Sequence, residues 1–484
     1  VRQDDLSLMA ERAAVAGADS TRATEIRNRW TNTAPLVWSK VERISPEWGG
    51  ARGNNTVLST TRAALQAAAD FCAREGKILN LKRGASYGIN GSLTLPAGLA
   101  IEGEGAEIVS NYSSSAVMTA AQIEVGANTK ADALNVRVAS GIDRIQNVLR
   151  VAGGARIGVL SVVADSPIYN RFSGANLTLA AGILLRGNDI RIGKIVGSNF
   201  DSAMRIMESR DLEIQDLQLT EFITGLTVEE TRDLKLHSAR LWGPSSITFG
   251  NNWAYGKGIM TPGANGLLLT GCRDSVFNDL RTYNVFEHGT RVGSWDSGGT
   301  ANTIKNDSLT FNNNHHYGPY GCGHKQDDGD KYDIKRITIN GLYTEDVGHN
   351  NWFGDAGYQN WSAGGVNTPS SDVDGNKVGC AIRNSEIVQI NGYINRTRTY
   401  AASGHRGLWI ERSDHVTGSN IQVRNSRSHG VVIQNGRDVN FINLNGVTSY
   451  QNGGDGLAVI ASASDNVMRG VSVSGLISAA NTGY

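Results

Sequence analysis

The sequence predicts an all-β chain, a right-handed parallel β-helix with an N-terminal capping helix, and three observations predict it. The first is a recurring phrase: a small residue, three or four β-formers, a polar corner, then a second strand. It reads GILLRGNDIRIGKI from Gly182, AMRIMESRDLEIQDL from Ala203 and GLTVEETRDLKLHSA from Gly225, so successive starts lie 21 and 22 residues apart. It returns from Gly266, Gly407, Gly430 and Gly456. A period of this length marks a stacked solenoid, because one coil cannot bury its apolar face alone. Leucine-rich repeats share the period but carry a leucine and asparagine consensus that is absent here. The second observation is alternation: in GLTVEE, Leu226 and Val228 are expected to point inward while Thr227 and Glu229 face solvent. The third is composition, since 58 Gly against 8 Pro in 484 residues fits turn-dense β structure with ample length for a large core.

Taken in order, residues 1–42 form a polar, alanine-rich stalk or linker with Leu6, Met9, Ala10 and Ala13 at helical spacing. Residues 43–110 form a capping segment. Within it, TTRAALQAAADFCAREG predicts a helix, capped by Thr60 or Thr61, with Ala64, Leu65, Ala68, Phe71 and Cys72 on one face to plug the open end of the solenoid. KILNLKRGASYGINGSLTLPAGLAIEGEGAEI then opens the strands. Residues 111–484 are the β-helix proper, with insertions near 242–265, 294–307, 315–330 and 348–375.

Charge and cysteine usage narrow the setting. Lys plus Arg equals Asp plus Glu at 46 each, so the overall field offers no attraction to nucleic acid or a membrane surface. No run reaches the ~18 apolar residues of a membrane helix. Cys72, Cys272, Cys322 and Cys380 are widely spaced without a CxxC pair, and are expected as free, partly buried thiols. The first 20 residues include Arg2, Asp4, Asp5, Glu11 and Arg12 and lack an apolar signal core. The last residues, Ser472 to Tyr484, still read as a coil, and exposed solenoid ends of that kind invite edge pairing and are normally covered.

The order ISPEWGGARG, an alanine-rich helix, a strand ending in SYGI, LTLPAGLAIEGEG and then coils of 20-odd residues resembles the pectate-lyase-like β-helices of bacteriophage tailspikes. The resemblance covers nearly the whole chain. One departure lies in the cap, where ARGNNTVLSTT replaces the family's usual Asp-Asp pair. The resemblance implies a homotrimer carried on the virion, joined to the phage tail or baseplate through its N-terminus. It also implies a partner, bacterial surface polysaccharide such as O-antigen or capsule, which the protein binds and cleaves.

A regular solenoid needs no long excursions, so function should gather where the period breaks. The breaks run from Trp242 to Asn265, Ser294 to Asp307, His315 to Asp330 and Gly348 to Gly375. They hold the candidate sugar-stacking residues Trp242, Trp253, Trp295, Tyr317, Tyr320, Trp352, Tyr358 and Trp361, with Tyr255 and Phe353 beside them. Aromatic faces stack on the C–H faces of sugar rings, and Asn- and Gly-rich loops match hydroxyl groups. Glycosidic hydrolysis needs two carboxylates about 5 Å or about 6.5–9.5 Å apart. GHKQDDGD and the later Glu345-Asp346 make Asp327, Asp328, Glu345 and Asp346 the leading candidates, followed by Glu287, Asp330 and Asp355.

A uronic-acid glycan would instead be cleaved by β-elimination, for which Lys325, His324, His349 and Arg291 are the candidate cation and base, and Tyr317 or Tyr320 the proton donor. DDGDKYD, from Asp327 to Asp333, is rich in oxygen ligands but lacks the full EF-hand pattern, and His315-His316 is not spaced like a zinc site. No metal or cofactor is expected. GEGAEI does not sit in a strand–turn–helix context, which argues against dinucleotide binding. Arg396, Arg398, Arg406, Arg412, Arg424 and Arg427 crowd the later coils, on a solvated or subunit-facing side or against an anionic glycan, and Trp409 sits at an outward position. The sequence thus points to a glycan depolymerase, hydrolase before lyase, with a non-catalytic receptor-binding fibre as the alternative.

Overall fold

A computed structural model describes residues 41–112, 121–141, 147–168, 181–244, 265–285, 288–293, 305–319, 321–327, 334–347, 378–397, 406–435, 439–461 and 468–481. The chain divides into two compact units, Val1–Ile168 with Ala180–Asn199, and Tyr169–Leu179 with Phe200–Tyr484. The expected stalk, residues 1–40, lies outside the described residues.

In the first unit a short turn of helix, Pro46–Gly49, precedes an α-helix at Leu58–Glu75. The helix buries Ala64, Leu65, Ala68, Phe71 and Cys72, the face its periodicity predicts, and packs on the first strands. Its start differs from expectation. Val57 is the N-cap and makes no side-chain cap, while Thr61 is buried inside the helix, where its Oγ accepts from the Arg52 N–H at 3.1 Å. Parallel strands then stack coil on coil. Ile78 pairs with Ala100, Ala100 with Lys130 and Lys130 with Arg156, while Tyr87 pairs with Ile108 and Ile108 with Val136.

The second unit is a parallel β-helix of three ladders. In the first sheet, Leu226, Leu267, Thr290, His324, Cys380, Leu408, Val431 and Leu457 pair in succession. In the second, Leu236, Phe277, Phe311, Ile339 and Ile390 do so. In the third, Thr220, Trp242, Tyr283, Tyr317, Glu345, Asn395, Arg424 and Tyr450 form one continuous column. Because strand side chains alternate, every second residue enters the bore. Leu226 and Val228 are fully buried there, and Phe277 stacks on Phe311 with centroids 5.2 Å apart.

The small residue that opens each phrase has a steric reason. A Cβ on Gly225, Gly266, Gly289, Gly323, Gly379, Gly407 or Gly430 would lie 2.5–2.8 Å from the carbonyl oxygen of the next glycine in the column. Third-sheet side chains fill the same corner: Thr344 comes within 2.5 Å of such a Cβ at Gly323, and Val423 within 2.1 Å at Gly407. Corners elsewhere take left-handed backbone on Asp and Asn, as at Asp211, Asp233 and Asp274, residue types that tolerate it best after glycine.

Two readings of the sequence change here. Thr227 and Glu229 point away from the bore, yet are 0% and 4% exposed, so the outer face of the first sheet is covered rather than solvated. The segment from His315 onward, read as an insertion, contains two regular strands, His315–Tyr317 and His324–Gln326, both in register with their neighbours. All four cysteines are free and buried, as expected.

Candidate functional site

Two outward faces of the second unit carry chemistry. On the third sheet the aromatic column is partly open to solvent. Trp242 and Tyr283 stack at 5.5 Å with planes 10° apart, and Tyr317 follows one coil on, 38% exposed. Beside them run Arg281, His315, Tyr343 and Tyr393, paired in that order. His315 meets Tyr343 edge-on at 4.1 Å, and Tyr343 stacks on Tyr393 at 5.2 Å. Ladder register alone produces these contacts, since side chains two positions apart on a strand project from one face at about 4.8 Å per coil.

Glu345 continues the column below Tyr317. The Tyr343 hydroxyl donates to its Oε2 at 3.0 Å, and the Asn395 amide donates to its Oε1 at 3.1 Å. Both oxygens thus accept hydrogen bonds, which fixes the carboxyl group at the end of the column. Burial holds His315 below its ordinary value, with Arg281 adding to the effect and Glu345 and Asp279 opposing it, so its imidazole is neutral at pH 7. Arg281 is tied to Asp279 at 3.0 Å, which fixes the upper edge of this face.

The first sheet's outer face is enclosed instead. Lys325 is 3% exposed with its Nζ 3.4 Å from Asp327. Arg383 bonds Asp327 at 2.7 Å and Glu411 at 2.7 Å, and the Asn384 amide reaches the other Asp327 oxygen at 3.2 Å. Asp327 is thus held in place by two cations and an amide. His324 points into the bore, fully buried, edge-on to Phe311 at 5.0 Å and 3.2 Å from Gln326 Nε2. Burial pushes its imidazole down to about 3. His324 and Lys325 are thus removed from any open groove, contrary to the elimination reading. Arg291 pairs directly with Lys325 in the same column.

Asp346 is a corner residue with φ of 53°, 6% exposed, and belongs to a series of left-handed corners with Asn284, Gly318, Asn425 and Gln451. Asp328, Asp330, Asp355, Glu287, His349, Trp253, Trp295, Tyr320, Trp352, Tyr358 and Trp361 lie outside the described residues. Among the described residues no group of three or more His, Cys, Asp or Glu is placed to hold a metal ion. No helix there is long and apolar enough to cross a membrane.

Sequence reasoning missed Tyr283, His315, Tyr343, Tyr393 and Asn395. The signal was present: aligning ARLW (Ala239–Trp242) with LRTY (Leu280–Tyr283) and the later strands shows an aromatic or polar residue recurring at the same two outward positions.

The sequence matches no protein-family model and no curated protein. By structure the chain is similar to the Dettilon tailspike protein, with 13% identity over 88% of this chain and 68% of that one and a TM-score of 0.41. It is similar to the pre-mature gene product 12 of bacteriophage phi29, with 13% identity over 92% of this chain and a TM-score of 0.46, spanning 58% of that protein's length. It also resembles the Family 28 exopolygalacturonase of Yersinia enterocolitica, with 10% identity, 90% and 78% coverage and a TM-score of 0.39. At these identities and TM-scores the likeness says nothing of function, which is decided by the residues of the site.

Proposed function

We propose that the protein is a phage tailspike depolymerase that binds bacterial surface polysaccharide, O-antigen or capsule, along the outer face of the third sheet and hydrolyses it. The observation that carries this is the open column Trp242–Tyr283–Tyr317 ending on the doubly hydrogen-bonded carboxylate of Glu345. Aromatic rings set one coil apart offer successive stacking surfaces for a sugar chain. Glu345 acts as base or nucleophile, and the proton donor is drawn from Glu287, Asp328 or Asp355. A homotrimer attached to the phage tail through its N-terminus completes the reading.

The test is incubation with purified lipopolysaccharides and capsules while following reducing ends together with the ultraviolet absorbance of an unsaturated uronate. Reducing ends without that absorbance are expected, and the absorbance would move the assignment to elimination. Glu345→Gln should lower turnover by about 10²–10⁴-fold with affinity retained, the usual scale for a general base. Tyr317→Ala should weaken binding by about 0.5–1.5 kcal/mol. Binding with no cleavage of any glycan would leave a receptor-binding fibre and sink the enzyme assignment.

A further inference from the structure

Seven Asn–Gly pairs occur in the chain. A glycine after asparagine leaves the backbone nitrogen unshielded by a Cβ, so that nitrogen can reach the carboxamide carbon of the preceding side chain. Asn435 precedes residues 436–438, and Asn90 stacks beside the strand that runs into residues 113–120, both segments outside the described residues. The other five pairs can be compared.

Four of the five are locked. The Asn340 amide donates to Asn312 Oδ1 at 3.0 Å and its Oδ1 accepts from the Asn391 amide at 3.3 Å, while Asn391 Oδ1 accepts from the Gly341 N–H at 2.6 Å. The carboxamides of Asn340 and Asn391 are thereby held at both ends, and the nitrogen that would attack Asn340 is itself a bound donor. Asn452 is 1% exposed; its Oδ1 accepts from the Ser426 N–H at 2.9 Å, its amide donates to Ser449 Oγ at 2.9 Å, and the Gly453 N–H donates to the Ser426 carbonyl at 2.8 Å. Asn265 is fully buried; its Oδ1 accepts from the His288 N–H at 3.2 Å, and the Gly266 N–H donates to the His288 carbonyl at 2.9 Å.

Asn445 differs. It is exposed on the outer face of the second sheet, and Gly446 after it turns the corner with φ of 67°. Its neighbours in the stack, Ser419 and Ser474, are both described, and its carboxamide makes one hydrogen bond among the described residues, accepting from the Ser474 hydroxyl at 3.2 Å. Ser474 is itself exposed, so water competes for that bond.

We propose that Asn445 is a site of spontaneous deamidation, a modification that the fold permits there and blocks at Asn340, Asn391, Asn452 and Asn265. The Gly446 nitrogen attacks the Asn445 side-chain carbonyl carbon and a C–N bond forms. The amide nitrogen takes the proton and leaves as ammonia, and a succinimide ring remains. Water then opens the ring at either carbonyl, giving aspartate or isoaspartate, with no oxidant or reductant involved. The outward pairs of this sheet around the site, Thr417 with Ser419, Asn443 with Asn445 and Ser472 with Ser474, carry no charge, so the product places an anion where there was none. Isoaspartate also lengthens the backbone by a methylene, which breaks the register with Ser419 and Ser474. The inference stands apart from the glycan reading.

The test holds the folded protein at neutral pH and body temperature while peptide mapping by mass spectrometry follows each asparagine, beside a urea-unfolded sample. In the unfolded sample all five should convert at similar rates. In the folded protein Asn445 should convert about 10–100-fold faster than Asn340 or Asn391, since each hydrogen bond that must first break slows the step by about 2–10-fold. Ser474→Ala should raise the Asn445 rate by about 2–10-fold and leave the others unchanged. Asn391→Ala, which frees the Asn340 carbonyl and the Gly341 N–H, should speed Asn340 and not Asn445. The wild-type comparison stands whether or not either variant folds. Asn445 intact while the unfolded chain converts overturns the assignment, and so does Asn340 or Asn391 keeping pace with it in the folded protein.

Discussion

His316 and His324 sit inside the bore, both fully buried. His316 lies 2.9 Å from the Thr282 hydroxyl and 3.4 Å from that of Thr290. Burial holds His316 well below its ordinary value and His324 at about 3. Both imidazoles therefore stay neutral in the folded chain at pH values where the unfolded chain is protonated. The unfolded state binds more protons below its own value near 6.5, so this stability is fully present above that pH and is lost as pH falls from there, in the case of His324 toward its folded value of about 3. Each histidine should contribute a slope of about 1.4 kcal/mol per pH unit in that window. Urea unfolding between pH 7 and pH 4 checks this, and His324→Gln should flatten the slope if the refolded variant is intact. The same residue shows where sequence reading stopped short. GHKQDD announces a titratable cluster, but Gly323 aligns with Gly225 and Gly266, which places His324 where Leu226 and Leu267 enter the bore. Glu345 was legible as a candidate carboxylate, whereas its partners were not, because Tyr343 and Asn395 reach it through side-chain and ladder geometry rather than through a motif.

At the level of the strand and its corner, the column of glycines was legible from spacing alone, and the close approach of successive backbones explains it. Gly323→Ala should be strongly destabilising, since its Cβ would meet the Gly379 carbonyl at 2.6 Å and the Thr344 methyl at 2.5 Å, neither free to retreat. Loss of soluble protein or a melting temperature lowered by many degrees is the expected result, with Gly76→Ala as a contrasting site where nothing lies within 4 Å and only the left-handed backbone resists. Phe311 stacks on Phe277 and meets His324, so Phe311→Ala should cost about 3–5 kcal/mol. What the alternation did not give was the state of the outward residues. Thr227, Glu229 and Lys325 follow the outward phase yet are buried, because alternation reports which side of the sheet a residue takes and not whether that side meets water.

Across the molecule, covalent staples are absent among the described residues: Cys72, Cys272, Cys322 and Cys380 are free, and burial pushes the Cys72 and Cys272 thiols up to about 12. Ladder hydrogen bonds and the bore supply the stability, so a reducing agent should leave the melting temperature unchanged, and a fall would mean that some of these four cysteines are bridged. The glycine column has a further consequence. The ladder resumes 23 residues after Gly266, at Gly289, yet 56 residues after Gly323, at Gly379. The same stacking register therefore accepts arcs of very different contour length, provided a glycine stands ready where the next coil begins. The column works as a splice junction: material can be inserted, lengthened or exchanged between two glycines without re-indexing the coils on either side. The arcs between two glycines can then differ in length and composition while the wound frame beneath them keeps its register.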